Sequence, residues 1–373
     1  MKLTCDRSAL VDKLAILARG VSTRSALPVL SGIMLQAQDG RLDMYSTDME
    51  LSIKASLSTT VEQPGEIVVP ARLFTDVVRN LPEEHVVIAA GEATVAVTAG
   101  RAGFSLNIWS ANDFPQTSTF DASGAFAMGR EPFVETLGKV GRAASRDETR
   151  PILTGVLMTI QGDTLKMVAT DSYRLAVKET KLETALEADV QAIVPVRALG
   201  EVARLASGMP EGDLEVAIGE NQALFKLTGA AGDVWIASRL IDGQFPNYKQ
   251  LLPETFDHEV ILDKDDFMAA ARRVSLLAQK SAPLRLSFAD NKLTLKALTQ
   301  DVGHAEESLD IEFDGEAFEI GFSPAYLVDG IDAIEDAGVR LRFTSPLRPG
   351  LVSGASDGDG KFVYLIMPIR LNN

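Results

Sequence analysis

The chain has 373 residues, 46% of them hydrophobic, and sets 36 lysines and arginines against 52 acidic residues for a formal net charge of −16. That size and composition suit two or three globular domains and exclude a disordered chain. They also exclude a protein that coats nucleic acid with its whole surface, because phosphate binding is driven by basic residues displacing counterions.

Taken in chain order, one pattern recurs three times. It opens on a helical stretch with apolar residues at i, i+4, i+7 and i+11: Leu10, Leu14, Leu17 and Val21. LPVLSGIMLQAQDGRLDMYSTDMELSIKASL follows, and its two-residue alternation and turn chemistry read as strand, tight turn, strand and strand. Pro70 then opens a second helical stretch, PARLFTDVVRNLPEE; proline suits a first helical turn, where its missing N–H has no partner to lose. Further strands run to DFP at 113–115.

The second copy has Phe133, Leu137, Val140 and Ala144, then RPILTGVLMTIQGDTLKMVATDSYRLAVKET, a helix from Pro195, and QFP at 244–246. Here Pro151, Leu153, Gly155 and Thr170-Asp171 answer Pro28, Leu30, Gly32 and Thr47-Asp48. The third copy is fainter: Phe267, Ala271, Val274 and Ala278, then APLRLSFADNKLTLKALTQDVGHAEESL, then a helix from Pro324. The proline openings at 70, 195 and 324 set domains of about 125 residues, at 1–125, 126–253 and 254–373. The fold class is α+β: three repeated domains, each with two helices packed on two small antiparallel sheets. No low-complexity linker separates them, so strands are expected to continue across the junctions.

At about 100° per residue, basic residues cluster opposite the core of each leading helix: Arg19, Lys139, Arg142, Arg146, Arg272 and Arg273. In the second helices Arg72 and Arg79 follow Pro70 at the offsets at which Arg197 and Arg204 follow Pro195, one stripe in each. The stripe reads either as a solvated helix face or as a surface presented to an anion. The helix after Pro324 is acidic, with Asp329, Asp332, Glu335 and Asp336, so no positive surface is uniform.

Chemistry is hard to place. His85, His258 and His304 are isolated, and nucleophile elbow, phosphate loop and zinc motif are absent. Cys5 stands alone, so an internal disulfide or a multi-cysteine metal site is excluded and a small buried side chain is expected. No run of about 18 apolar residues occurs and MKLTCDRSAL lacks the apolar stretch of a signal peptide, so neither membrane span nor export is expected and the protein reads as cytoplasmic. A binding protein with no cofactor and no metal is favoured over an enzyme.

MKLTCDRSAL, LPVLSG, ATDSYRLAV, DGQFPNYKQLLP and VYLIMPIRL occur in this order along the whole chain. Together they resemble the bacterial DNA polymerase III beta subunits, the sliding clamps. The resemblance implies a non-catalytic subunit of a DNA polymerase holoenzyme, a processivity factor. Its three-domain protomers would join head to tail as a homodimeric ring around duplex DNA, without sequence specificity. The implied partners are duplex DNA, a second copy of the chain, the clamp loader, the replicative polymerase alpha subunit, and other polymerases and repair proteins carrying clamp-binding peptides. The implied location is the cytoplasm, at replication sites on the nucleoid. A specialised or drug-tolerant clamp paralogue with altered partner specificity is the alternative.

The resemblance also implies residues. Arg24 matches a DNA-contacting position, and the periodicity adds Arg72, Arg79, Arg142, Arg146, Arg197 and Arg204 as lining residues. The other family contact loop corresponds to SRDETR, where Asp147 and Glu148 depart from a cationic contact. The partner-peptide pocket would be rimmed by Thr170, Ser172, Tyr173, Arg174 and Leu175 with Leu153, Pro246 and Leu251. The tail adds Leu365, Met367, Pro368, Ile369, Arg370 and Leu371. Apolar walls would take leucine and phenylalanine anchors, and polar rim groups a glutamine. Asp171 reads either as part of this rim or, given Thr47-Asp48, as a turn residue. Tyr173 stands where histidine is common, Gln250 where a basic residue is, and two asparagines follow the usual terminal Arg-Leu. Phe104 and Leu106 match one side of the dimer interface and Leu276 and Leu277 the other, a core role for Leu277 being equally open.

Overall fold

The computed structural model describes every residue except 23–25, 116–123, 188, 210–211, 230–231, 279–281, 300–301, 357–361 and 372–373. The first copy holds β1 (Lys2–Asp6), α1 (Arg7–Leu17), β2 (Gly32–Gln38), β3 (Arg41–Thr47), β4 (Leu51–Ser58), β5 (Thr60–Gln63), β6 (Gly65–Pro70), α2 (Ala71–Arg79), β7 (His85–Ala90), β8 (Thr94–Ala99) and β9 (Ala102–Asn107). The second holds β10 (Phe126–Gly129), α3 (Arg130–Val140), β11 (Gly155–Gln161), β12 (Thr164–Thr170), β13 (Arg174–Lys181), β14 (Val190–Pro195), α4 (Val196–Gly208), β15 (Asp213–Ile218), β16 (Gln222–Leu227) and β17 (Val234–Arg239). The third holds β18 (His258–Asp263), α5 (Lys264–Ser275), β19 (Leu284–Ala289), β20 (Lys292–Thr299), β21 (Gly303–Asp310), β22 (Phe318–Phe322), α6 (Pro324–Asp332), β23 (Gly338–Phe343), β24 (Gly350–Gly354) and β25 (Val363–Ile366).

These elements form two compact units. The first is Met1–Val134 with Arg197–Leu240, and the second is Glu135–Val196 with Ile241–Asn373. In the first, a five-stranded sheet runs β5-β1-β7-β8-β9 and an eight-stranded sheet runs β10-β15-β16-β17-β4-β3-β2-β6, with α1 packed on α2 and β4. In the second, an eight-stranded sheet runs β14-β11-β12-β13-β25-β24-β23-β18 and a four-stranded sheet runs β21-β20-β19-β22, with α5 packed on α6 and β20. Both eight-stranded sheets join strands of the middle repeat to a neighbour's, through β17–β4 (Ile236 opposite Ile53) and β13–β25 (Leu175 opposite Leu365). The expected continuity across junctions is thus made by main-chain hydrogen bonds.

Strand and helix meet in the same way at two starts. The last residue of β1, Asp6, accepts from Ala9 N at 2.7 Å, and the last of β18, Asp263, accepts from Asp266 N at 3.0 Å, each satisfying a free helix N–H. Pro324 occupies the first turn of α6, whereas Pro70 and Pro195 end strands one residue before their helices. The leading helices stop short of the periodic pattern: Val21, Ala144 and Ala278 lie beyond α1, α3 and α5. At α1 the cause is visible, since Ser46 Oγ donates to the Leu17 carbonyl at 2.7 Å and takes the place of the next turn.

Gly32 and Gly155 explain the repeated glycine of LPVLSG and RPILTG. A Cβ on Gly155 would lie 2.5 Å from Ile193 Cγ2, and one on Gly32 would lie 2.5 Å from Val68 Cγ1. Arg130 ties the first unit together from a buried position, donating to the carbonyls of Met209, Asp213 and Thr228.

Candidate partner-binding site and cationic surface

The Thr-Asp step of the second copy makes a turn. Thr170 Oγ1 accepts from Ser172 N at 3.1 Å and donates to the Arg174 carbonyl, while Asp171 Oδ1 accepts from Tyr173 N and Arg174 N. The first copy does the same: Thr47 accepts from Met49 N, and Asp48 from Glu50 N and Leu51 N. Ser172 and Met49 take the same left-handed conformation, φ +80° and +77°. Thr170 and Asp171 are therefore buried turn residues, Thr170 and Asp171 Oδ1 being taken up by the main chain.

What differs is the surface beside the turn. In the second unit Leu157, Val168, Leu175, Val177, Ile193, Phe245, Tyr248 and Leu365 form one buried cluster, with Ile152, Ile241, Leu252 and Met367 partly buried against it. In the first, Val29, Leu30, Tyr45, Val68 and Phe114 fill the same role with Met34 and Trp109. Tyr45 stands where the second copy has Val168, so the first cluster takes a ring from the strand itself, whereas the second takes its rings, Phe245 and Tyr248, from the segment after β17.

Around the second cluster Tyr173 is 60% and Leu251 43% exposed, large apolar side chains left in solvent beside a buried apolar floor. Pro246 is exposed, and Leu153, Leu175 and Leu365 are buried. Met367 N donates to the Tyr173 carbonyl at 2.8 Å, which pins the tail to the turn. Pro368 follows half-buried and Arg370 is exposed. Ile369 N donates to Gly321 O, and Leu371 lies over Gly321. Ile369 and Leu371 thus serve the four-stranded sheet and do not join the cluster.

Arg174 is a buttress of the rim. Its Nε donates to Asp171 Oδ2 at 3.0 Å, its Nη1 to Asp329 on α6 and to the Tyr364 hydroxyl at 3.3 Å, and its guanidinium lies 4.4 Å over the Tyr326 ring. Burial, partly offset by Arg174, pushes the Tyr364 phenol up to about 12, so it stays a neutral partner. Arg150 Nη1 donates to Ser172 Oγ, and Asp147 holds Thr149 and Arg150. The Thr149 hydroxyl is the chief cause of a lowered Asp147 pKa.

The charge pattern changes more than the apolar one. Arg72, Arg79 and Arg146 are exposed with no carboxylate in ion-pair range among the described residues. Arg197 pairs with Asp48 at 2.7 Å and Arg204 with Glu201 at 2.9 Å. Arg142 donates to Asp332 and to the carbonyls of Asp329 and Gly138. Lys139 is buried between Glu135 and Glu335, so its placement on a solvent face is corrected. Arg146 follows the 3-10 turn Gly141–Ala143 and is not a helix residue. Arg24 lies outside the described residues. The acids of α6 and of the turn after it are the counter-charges: Asp329 to Arg174 and Asp332 to Arg142 and Arg272 from the helix, and Glu335 to Lys139 from just beyond its end.

Phe104 on the edge strand β9 is 43% exposed, and Leu276, which caps the end of α5, is 83% exposed. Leu106 is buried within its own chain, and Leu277 is half-buried. Among the described residues there is no cluster of histidine, cysteine or acidic side chains fit to hold a metal, and no helix long and apolar enough to cross a membrane.

Residues 1–118, 128–247 and 249–370 match, in turn, the N-terminal, central and C-terminal domains described for the DNA polymerase III beta subunit. The chain belongs to the DNA polymerase III beta subunit family, the bacterial sliding clamps. It is 33% identical to a beta sliding clamp of Streptomyces coelicolor over 379 residues, all of both chains. The fold matches a DNA polymerase sliding clamp from Bacillus subtilis with a TM-score of 0.95 at 30% identity. It also matches a Pseudomonas aeruginosa clamp bound to griselimycin with 0.90 at 30%, each over all of both chains. Membership sets the function class, a non-catalytic processivity factor of DNA replication, and the three tandem domains of helices on antiparallel sheets that the fold displays.

The sequence pointed to the rim but missed Tyr326, Asp329 and Tyr364 behind Arg174, and Phe245 and Tyr248 over the floor. Phe245 was visible only as the middle of QFP, a punctuation mark at the end of a copy.

Proposed function

We propose that two copies of this chain close head to tail into a ring around duplex DNA and that the cluster beside the Ser172 turn takes short peptides from polymerases, clamp loader and repair proteins. The domains divide at 125/126 and 253/254. The observation that carries the peptide reading is the buried floor of Leu175, Leu365 and Val177 beside the solvent-exposed Tyr173 and Leu251. A monomer gains nothing from leaving such side chains in water, whereas leucine or phenylalanine anchors covering them gain about 25 cal/mol per Å² of apolar surface removed from water.

Ring closure is supported by edge chemistry. β9 and β21 end their sheets with unpaired main-chain groups, and exposed apolar residues accompany each: Phe104 on β9, and Leu276, Leu298 and Val302 near the start of β21. Arg72, Arg79 and Arg146 are the DNA contacts in this reading, with Arg197 and Arg204 as ion-paired neighbours. A small number of unpaired arginines suits a surface that slides on phosphate without gripping it.

The test is primer extension by a bacterial replicative polymerase with its loader. The protein is expected to lengthen products, and excess peptide carrying a glutamine with leucine and phenylalanine anchors is expected to abolish that gain. Persistence of long products under saturating peptide would refute the assignment of the cluster.

A further inference from the structure

On the face of the β14-β11-β12-β13-β25 sheet away from α3, the side chains change character along the strands. Lys178 and Thr180 contact α3 on the other face through Glu135 and Thr136, and alternation puts Leu175, Val177 and Glu179 on this one. Pairing register arranges this face in rows. Leu175 stands beside Leu365; then come Ile193, Leu157, Val168 and Val177; then Gln191, Thr159, Lys166 and Glu179. The first two rows are the floor of the apolar cluster. The third is open, in a cleft of about 420 Å³ that Leu157, Tyr248 and Lys249 also line.

Lys166 is bonded to Glu179 at 2.9 Å, so these two charges compensate one another. Lys249 is exposed on the 3-10 turn Tyr248–Leu251 and has no carboxylate in ion-pair range among the described residues. The cleft therefore carries one uncompensated positive charge in a chain of net charge −16.

We propose that this cleft takes the segment flanking the anchors of the same partner peptide, and that the segment bears an aspartate or glutamate that pairs with Lys249. The inference rests on the peptide reading of the cluster. Continuity supports it, since Leu157 and Tyr248 belong to both cluster and cleft. Successive rows are about 7 Å apart, so a chain leaving the floor reaches the polar row within two to four extended residues. Gln191 and Thr159 offer an amide and a hydroxyl to an extended main chain, and Lys249 supplies the charge complement to the acidic residue.

The test uses the full chain, fluorescence anisotropy and labelled peptides. A pentapeptide with a glutamine and leucine and phenylalanine anchors is compared with the same peptide extended at either end by a glutamate-bearing or a lysine-bearing tetrapeptide. One acidic extension is expected to bind about three- to fivefold tighter than the pentapeptide. Lys249→Glu is expected to abolish that gain and favour the lysine extension, leaving pentapeptide affinity within about twofold. Binding of the pentapeptide with no gain from either acidic extension, or equal weakening of short and long peptides by Lys249→Glu, would overturn the cleft alone. Failure of the pentapeptide to bind wild-type protein would overturn the peptide reading and this inference with it.

Discussion

Replacing Arg174 with alanine removes the group that holds the rim turn against α6. The side chain is 11% exposed; truncation strips Asp171 Oδ2 and the buried Tyr364 hydroxyl of a partner and leaves the Tyr326 ring uncovered. Removing one charged hydrogen bond from a mostly buried carboxylate that keeps its two main-chain donors, and one from a buried phenol, costs about 2–3 kcal/mol, and the lost stack adds about 0.5–1 kcal/mol. Asp329, at 41% exposure, regains water and adds little. The sum is about 3 kcal/mol, or roughly 6–12 °C in the melting transition of a unit of this size. Scanning calorimetry of the full chain measures it, and Arg174→Lys is expected to recover less than half, because an ammonium cannot reproduce the fork and stack. A double-mutant cycle with Asp329→Ala is expected to show about 1 kcal/mol of coupling. A shift under about 2 °C for Arg174→Ala, with peptide affinity lost all the same, would refute the buttress and return Arg174 to direct partner contact.

In DNA binding, the Arg72→Ala/Arg79→Ala double variant is expected to reduce the slope of log affinity against log salt by about 2, whereas Arg142→Ala leaves it unchanged; duplex titrations across salt concentration check this, and equal effects would contradict it. Leu276→Glu is expected to yield monomers of unaltered melting temperature by sedimentation, while Leu106→Ala destabilises the fold by about 2–3 kcal/mol; the reverse ranking would undo the division between interface and core. Burial first, and Asp6 second, push the Cys5 thiol up to about 12 from its ordinary 9.0. Its neutral form therefore contributes stability that is intact below about pH 9 and declines as pH rises toward 12. A thiol reagent at pH 8 is expected to label native protein far more slowly than urea-unfolded protein, and the urea midpoint is expected to fall less between pH 8 and 10.5 in Cys5→Ala than in wild type.

Much of the fold was legible because local patterns and tertiary packing agree: three helix-hairpin-helix copies, their turns, and sheets that continue from copy to copy. Helix ends were less legible, since Ser46 stops α1 from a strand that sequence cannot place beside it. The Thr-Asp knot was readable as a turn because it occurs twice. The cationic stripes were legible as faces but their counter-charges were not, for periodicity reports which face a residue occupies but not what lies opposite: Arg197 meets Asp48, while Arg142 meets Asp332 on α6 and Lys139 meets Glu335 just beyond it, both almost 200 positions away. For the same reason α6, which looked like a break in a positive surface, is the counter-charge to the middle repeat. The polar row at Lys166 and Glu179 was invisible as a site, because only strand register puts Gln191 and Thr159 beside it.

The central claim is topological linkage to DNA. Retention on nicked circular duplex, loaded by an ATP-driven clamp loader and measured by gel filtration before and after the circle is cut, tests it most directly. The protein is expected to stay with the circle through the column and to be lost once the DNA is linear. Equal retention on both forms, or none on the circle with a loader that is active on another clamp, would contradict the ring.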